Sequence, residues 1–497
     1  MKIDQIKLKP GESVELLPYK IQKKTGKPVK NWRILRESID ARKKNDIRLV
    51  YSVEFNYDPE DVIGKLDIPE VSSEMRPVIT GFGPCGIFAS LVLARAGLRP
   101  IVLERGMDVD TRTEQVERFW KDGKLDTESN VQFGEGGAGT FSDGKLTTGI
   151  KDPRTAFVLR ELMLHGGPED IIYKARPHIG TDVLKTVVKN IREEIIDLGG
   201  QIIFGAKVSG LITEGSEVRS VEYIADGKKH CENTDCVIFA IGHSSRDTLR
   251  WLRDMDVSMK QKQFSMGVRA EHTQDIIDIA QYGKTSSELG LPPADYKLSY
   301  RTGKDRGVYT FCMCPGGQVV VASSEEGMVV TNGMSYHARN SGYANSAVLV
   351  DVRPEDFGTD DVLGGVYLQQ KYERLAYERG GGYRAPRALW KDVRDDKAHQ
   401  VTDCLPDFVT DSIREAMPEF GRKLKGFDND DTMIYAVESR SSSPVRFVRD
   451  EEYRGYIGDE ILRGFYPAGE GAGYAGGIVS AAVDGIRVAM KIIDGLR

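Results

Sequence analysis

A chain of 497 residues, 40% hydrophobic and 29% charged, exceeds one ordinary domain and holds enough apolar material for two or three cores. Its longest apolar runs, Ile87 to Ala94 and Cys236 to Ile241, fall far short of a membrane span. The Met1-Lys-Ile-Asp-Gln start lacks an apolar leader core and six cysteines make no disulfide framework, so a cytoplasmic location with no membrane partner is expected.

Residues 1–54 hold 14 Lys and Arg against 7 Asp and Glu, so within a net charge of −6 this stretch carries +7 and the remainder −13. Residues 1–57 read as a small basic α/β appendage, β-α-β-like. Lys2 to Leu8 and Ile47 to Phe55 alternate as strands, and Ile34, Leu35, Ile39 and Ala41 give Lys30 to Lys44 helical spacing. The basic surface suits docking on the chain's own acidic body, with an external acidic partner as the alternative. Residues 58–75, with Pro59, Gly64 and Pro69, read as a linker.

Residues 76–260 read as the first part of a nucleotide-binding domain. Arg76 to Thr80 is a short buried strand, Gly81-Phe-Gly-Pro-Cys-Gly86 follows at once, and Ile87 to Ala96 is apolar at helical spacing. Gly81 allows the tight turn, Gly83 lets backbone approach a pyrophosphate, and Gly86 lets the helix pack on the sheet. The next strand, Pro100 to Glu104, ends in an acid 23 residues after Gly81, placed to hydrogen-bond an adenosine ribose. Arg105 beside it leaves open a 2′-phosphate. Then come a polar helix over Asp110 to Lys121, a glycine-rich loop over Phe133 to Lys145, an amphipathic helix over Thr181 to Leu198, and a β meander. A second buried strand, Cys236 to Ile241, stops at Gly242. Residues 261–446, with strand-like runs at Phe264 to Ala270, Val308 to Cys312, Gln318 to Ala322 and Val348 to Val352 and a helix at Val362 to Arg379, read as an inserted mixed α+β substrate or cap domain. Residues 447–497 close the nucleotide domain. There, in the glycine-rich stretch Phe465 to Ile478, a strand delivers Gly469 and Glu470 to its carboxyl end, and a helix opens at Gly473-Tyr-Ala-Gly476-Gly477. Free helix-start amides suit the electron-rich N1 and C2 carbonyl edge of a flavin. The expected fold is therefore α/β, a Rossmann-like FAD-binding domain carrying a cap domain and an N-terminal appendage.

Gly81-x-Gly83-x-x-Gly86 with Glu104, Val237 to Gly242, and Tyr466 to Gly471 resemble the fingerprints of two-domain FAD flavoproteins of the glutathione reductase and para-hydroxybenzoate hydroxylase superfamily. Phe133 to Thr140, His178 to Asp182, Phe311 to Gly317 and Ser441 to Val445 more closely resemble a bacterial family of uncharacterised, NAD(FAD)-utilizing dehydrogenase-like proteins. The resemblance covers nearly the whole chain and implies the following positions. Gly81, Gly83 and Gly86 would hold the pyrophosphate and Glu104 the ribose, and Val208 would bracket the adenine. Gly136, Gly137 and Thr140 would pass beside pyrophosphate and flavin, Gly242 and Gly469 would meet the cofactor edge, and Glu470, where many relatives have Asp, would receive the ribityl chain. Gly473, Gly476, Gly477 and Ile478 would face the flavin pyrimidine.

Chemistry beyond the cofactor is sparser. No cysteine lies in the loop at 134–139 and no second strand-GxGxxG-helix lies between Glu104 and Cys236, so NAD(P)H, if used, binds transiently at the flavin face. Cys312 and Cys314 form a CxC pair, His178 precedes a helix start, and Arg440 and Arg446 flank Ser441-Ser-Ser-Pro444; these five are the candidates for substrate contact. Arg440 and Arg446 suit either a carboxylate or phosphate clamp or interdomain ion pairs. No metal site and no catalytic residue stand out. The leading expectation is an FAD-dependent oxidoreductase, dehydrogenase or reductase, acting on a small organic molecule. The alternatives are a flavin-dependent reductase of RNA bases, using the basic appendage with its sparse aromatics Tyr19, Trp32 and Tyr51, and a flavin-binding redox sensor.

Overall fold

The run Val78–Thr80 is short and fully buried, as only a central strand can be. In the computed structural model, which describes residues 1–497, it lies in the middle of a five-stranded parallel sheet. The strand order is Phe465–Pro467, Val237–Phe239, Val78–Thr80, Ile101–Leu103, Gln201–Ile203. Thr80 pairs with Phe239 and Leu103, and Phe239 with Pro467. Parallel pairing in this register stacks the turns that follow Thr80, Leu103, Phe239 and Pro467 along one carboxyl edge. Segments nearly 400 residues apart thereby meet, and this is the edge at which open parallel sheets bind ligands.

The helix Pro84–Arg95 is buried continuously from Cys85 to Ala94 because it is sandwiched between that sheet and the closing helix Ile478–Gly495. Two glycines permit the approach. A Cβ on Gly86 would sit 1.9 Å from the Gly81 carbonyl oxygen, and one on Gly485 would sit 2.2 Å from that of Cys85. The other sheet face carries the meander Lys207–Glu214, Glu217–Ala225, Lys228–Asn233.

A second sheet is antiparallel and six-stranded, in the order Ser299–Arg301, Gly307–Pro315, Tyr343–Val352, Phe264–Thr273, Met433–Glu438, Arg387–Leu389. Met266, Val268 and Ala270 face a core shared with the helix Asp407–Lys423, through Val409, Ile413, Met417 and Phe420. Full burial of such a side chain contributes ~1.5–3 kcal/mol. Period-two alternation then turns Ser265 and Arg269 to the opposite face, toward the nucleotide-type sheet.

At the N-terminus, Lys2–Leu8, Arg48–Phe55 and Trp32–Asp40 form a three-stranded antiparallel sheet against the helix Leu17–Thr25. The helix expected over Lys30 to Lys44 is thus a strand. A bulge between Ile34 and Arg36 leaves Leu35 unpaired, so the residues opposite Phe55, Val53, Tyr51 and Leu49 are Trp32, Ile34, Glu37 and Ile39. That spacing of two, three and two counterfeits a helical period. The unit docks through backbone bonds, Glu37 N to the Tyr173 carbonyl and Ala175 N to the Glu37 carbonyl at 2.8 Å each, and by packing Ile39, Ile47 and Leu49 on the six-stranded core. Its charges do not make the dock. Arg33 pairs with Glu54 and Asp61, and Arg42 with Asp40.

Candidate functional site

The stacked turns open onto one cavity of about 630 Å³ that continues between the two large sheets. At one end lie Glu104 and Val208, in the middle Gly81, Gly83, Gly137 and Gly242, and beyond them Glu470, Gly476, Gly477 and Ile478. The far end is walled by Lys145, Thr310, Cys312, Asn332 and Glu438.

Glu104 is buried and holds the edge together. Its carboxylate accepts from the amides of Phe82 (2.6 Å), Gly106 and Gly134 (2.9 Å each), tying both glycine loops to the strand end. Of a carboxylate's roughly four acceptor sites, about one remains for a ribose hydroxyl. The loop Gly134 to Phe141 packs directly on the first glycine turn: Gly136 N donates to the Phe82 carbonyl at 2.8 Å, and a Cβ on Gly137 would lie 3.0 Å from Gly83 Cα.

Several glycines have no packing reason to be glycine. A Cβ on Gly476 would meet nothing within 4 Å, and one on Gly477 only Ser480 Oγ at 4.0 Å. Gly242 has the same open space, although its φ of +68° favours glycine independently. Behind Gly476 the helix Ile478–Gly495 begins with no side-chain cap, and the amides of Gly477 and Ile478 have no acceptor within the chain. Such amides with a bare glycine floor form a cradle for the electron-rich edge of a flat ligand. A Cβ would fill that cradle, so these residues fit the flavin end of FAD.

The floor is braced from behind. Asp484 accepts from Gly469 N at 2.8 Å and from Arg449 through both oxygens (3.0 and 2.7 Å), and Arg449 also donates to the Pro467 carbonyl and lies 3.5 Å over the Tyr474 ring. Glu470 faces the cavity beside His243, with Nδ1 3.6 Å from Oε1, too far for a hydrogen bond. Burial pushes Glu470 up to about 7, Lys262 pulling it back. Burial, then the Arg440 and Arg246 guanidiniums, hold the His243 imidazole down to about 3, so it is neutral, and its buried Nε2 has no partner.

Some expected contacts lie elsewhere. Gly86, Gly136, Thr140, Gly469 and Gly473 do not line the cavity. Gly473 lets backbone pass Val445, whose carbonyl oxygen would be 2.7 Å from a Cβ, and Thr140 bonds the Glu135 carbonyl and accepts at its own carbonyl from Thr181. Arg105 lines the cavity, but its guanidinium is shared between Glu128 and Asp247, with the Phe133 ring 4.0 Å away, which leaves no charge for a 2′-phosphate. Arg440 likewise lines the cavity without a free donor face. It grips Glu373 through two bonds (3.0 and 2.7 Å) and bonds Ser244 and Ser324, while Arg246 grips the same carboxylate. Against the cost of burial, the two guanidiniums hold Glu373 well below the ordinary carboxylate range. Arg246 joins the segment after Gly242 to the cap helix Gly364–Gly380, whereas Arg440 and Glu373 both lie in the cap stretch, so the ion pair of Arg440 is internal to it and Arg440 reaches across only to Ser244. Arg446 is exposed, off the cavity, and lies 4.3 Å over the Tyr474 ring. His178 is also off it, stacked on His337 at 5.1 Å, its imidazole held down to about 4 first by burial and then by Arg339.

Cys312 and Cys314 do line the far end. A bulge in the strand Gly307–Pro315 gives Cys312 a φ of +43°, and its carbonyl accepts from Arg269. The side chain is open to the cavity rather than to bulk water, and desolvation there pushes the thiol up to about 12 against the pull of Lys145 and Arg269. Burial likewise raises Cys314. Both are neutral thiols at physiological pH, the reverse of an activated redox pair. Two features escaped the sequence reading: the Arg269–Glu438 pair (2.9 Å) behind the bulge, and Lys145, which donates to the Met313 carbonyl. Lys145 closes the glycine loop and carried no motif signal of its own.

Comparison with known proteins adds lineage to this geometry. A family described as "FAD-dependent protein, C-terminal domain-like" matches residues 263–441, and a domain of unknown function matches residues 1–56. A Clostridium beijerinckii protein described as uncharacterized is 46% identical over 534 aligned positions, which cover 99% of this chain and 98% of that one. Among solved structures, the flavin-dependent brominase Bmp2 aligns over 85% of this chain and 80% of its own at 12% identity and a TM-score of 0.40. A Bacillus halodurans glycerol-3-phosphate dehydrogenase complexed with FAD aligns over 87% and 66%, at 12% identity and a TM-score of 0.37.

Proposed function

This chain belongs to one family with its uncharacterized Clostridium beijerinckii relative, carries an FAD-dependent C-terminal-type domain and takes FAD as cofactor, and from that premise we propose that it is an oxidoreductase moving a hydride between FAD and a small organic substrate. The observation that carries the reading is the single cavity running from Glu104 and Val208 past the glycine turns to Gly476, and on to Cys312 and Glu438. The first stretch matches a dinucleotide in chemistry. The remainder, between the two sheets, is left for a reactant.

Bound FAD supplies the two-electron chemistry, so the chain need only bind, orient and desolvate. Glu104 and the strand at Val208 receive adenosine. The amides of the two glycine loops receive the pyrophosphate. Glu470 and neutral His243 face the polar middle, where Glu470, poised near pH 7, accepts from a hydroxyl when ionised and donates when protonated. Free amides of Gly477 and Ile478 draw electron density toward the helix start, which favours the reduced ligand. The Arg246–Glu373–Arg440 triad, by joining cap helix to nucleotide sheet, fixes the wall opposite the cradle and keeps water from the reacting end.

Anaerobic stopped-flow reduction by NADH and NADPH, followed by a metabolite screen for reoxidation, tests the proposal. Flavin bleaching by a nicotinamide or by a metabolite, with turnover on an acceptor, is expected. A flavin that no donor reduces enzymatically would leave only a binding role.

A further inference from the structure

Charge in the cavity is unevenly satisfied. Of the five carboxylates lining it, Glu104 is held by three amides, Asp143 by Arg339 and Ser335, Asp295 by Arg176, and Glu438 by Arg269, while Glu470, beside His243, has no hydrogen-bonded partner. Of the cations, Arg105 and Lys207 share Glu128 and Asp247, Arg339 and Arg176 have the partners just named, and Arg440 has Glu373. Two lining cations remain without a carboxylate, Lys145 and Lys297.

Both flank the same wall. Lys145 Nζ donates to the Met313 carbonyl in the strand Gly307–Pro315, which leaves about two of its three N–H groups free. Lys297 is exposed at the rim, and its neighbour Leu298 is bonded to Thr310 of that strand at 2.8 Å. Near Lys145, Asn332 accepts at Oδ1 from Gly333 N, while its amide NH₂ has no partner within the chain. Unpaired donors converge at the far end, away from Glu104 and Val208, and the one lining carboxylate without a hydrogen-bonded partner, Glu470, lies beside His243 in the stretch assigned to the cofactor. The glycine loops already offer backbone amides to a pyrophosphate, so this second set of donors serves a different anion.

We propose that the substrate is a small organic carboxylate whose charge is received by Lys145, assisted by the Asn332 amide, with Lys297 drawing it in at the rim. This rests on the reading of the cavity as a joint FAD and substrate site. An ammonium group in a partly desolvated pocket discriminates a carboxylate from an uncharged isostere far more than a hydrocarbon contact does. Lys145 is thereby the specificity-determining residue, and Lys297, exposed and screened by salt, acts on the rate of entry.

The test uses the FAD-loaded protein with benzoate and benzamide as probes, read by flavin absorbance difference. Benzoate is expected to bind saturably and at least roughly tenfold more tightly than benzamide. Lys145→Met should remove that preference by weakening benzoate roughly tenfold to a hundredfold, Lys145→Arg should retain most of it, and FAD affinity should be unchanged in both. Lys297→Met should lower only the association rate, and less so at high salt. Equal binding of the two probes, an unchanged benzoate preference in Lys145→Met, or a matching loss of FAD affinity would overturn the proposal, the last assigning Lys145 to the cofactor. Failure of the underlying reading looks different: no flavin spectrum would exist to perturb.

Discussion

Gly476→Val separates a ligand's room from the protein's own packing. A Cβ there meets nothing within 4 Å and the backbone is outside the left-handed region, so the apoprotein should unfold within ~0.5 kcal/mol of wild type. The branched side chain instead stands on the cradle floor, lifting the flavin edge from the Gly477 and Ile478 amides. Two hydrogen bonds to a charge-bearing edge, at ~1.5 kcal/mol or more each, amount to a loss of ~3 kcal/mol, or roughly a hundredfold in FAD affinity. Gly86→Ala is the contrast. Its Cβ would lie 1.9 Å from the Gly81 carbonyl oxygen, so stability and cofactor binding should fall together. Apoprotein melts paired with FAD titrations by flavin fluorescence decide the matter. Wild-type affinity in Gly476→Val, or an apoprotein as damaged as Gly86→Ala, would refute the assignment of this glycine to the ligand.

Two more outcomes follow from buried charge. Glu470 has a folded pKa raised by burial to about 7, above the ordinary carboxylate value of 4.5, so the folded state binds more protons between those values. Stability it contributes is greatest below the unfolded value and is lost as pH rises through about 7, by up to ~3 kcal/mol in the apoprotein. Urea melts at pH 5 and pH 8 should show that loss in wild type and not in Glu470→Gln, and equal pH dependence in both proteins would contradict it. Asp484→Ala strands the buried Arg449 guanidinium and the Gly469 amide, and should cost about 3–5 kcal/mol by chemical denaturation; a cost under ~1 kcal/mol would mean the brace does not hold the cradle.

What could be read from the sequence was local. Strand, glycine turn, helix and acid run together from Val78 to Glu104, and the buried strand before Gly242 and the helix start after Gly477 are each contiguous patterns with one physical reading. What could not be read was relational. Nothing near Arg440 announces that Glu373, 67 residues away, fills its guanidinium, or that Arg246 shares the same carboxylate. Lys145 matters because it lacks a carboxylate, a property visible only once Met313, 168 residues on, is seen beside it. Glycines divide in the same way. Gly86 and Gly473 answer to neighbouring backbone and Gly476 to open space, although all three sit in similar glycine-rich strings. In the N-terminal unit, one unpaired residue in the bulge at Leu35 was enough to turn a strand's period into a helix's.

One continuous cavity is expected to hold a whole dinucleotide, adenosine at Glu104 and Val208 and flavin at Gly476 to Ile478. Titration of the apoprotein with FAD and with FMN, which lacks the adenosine half, measures this directly. The account predicts one FAD per chain and FMN binding weaker by at least roughly a hundredfold, since half of the contacts are missing. Equal affinity for the two, or no FAD bound, would contradict it.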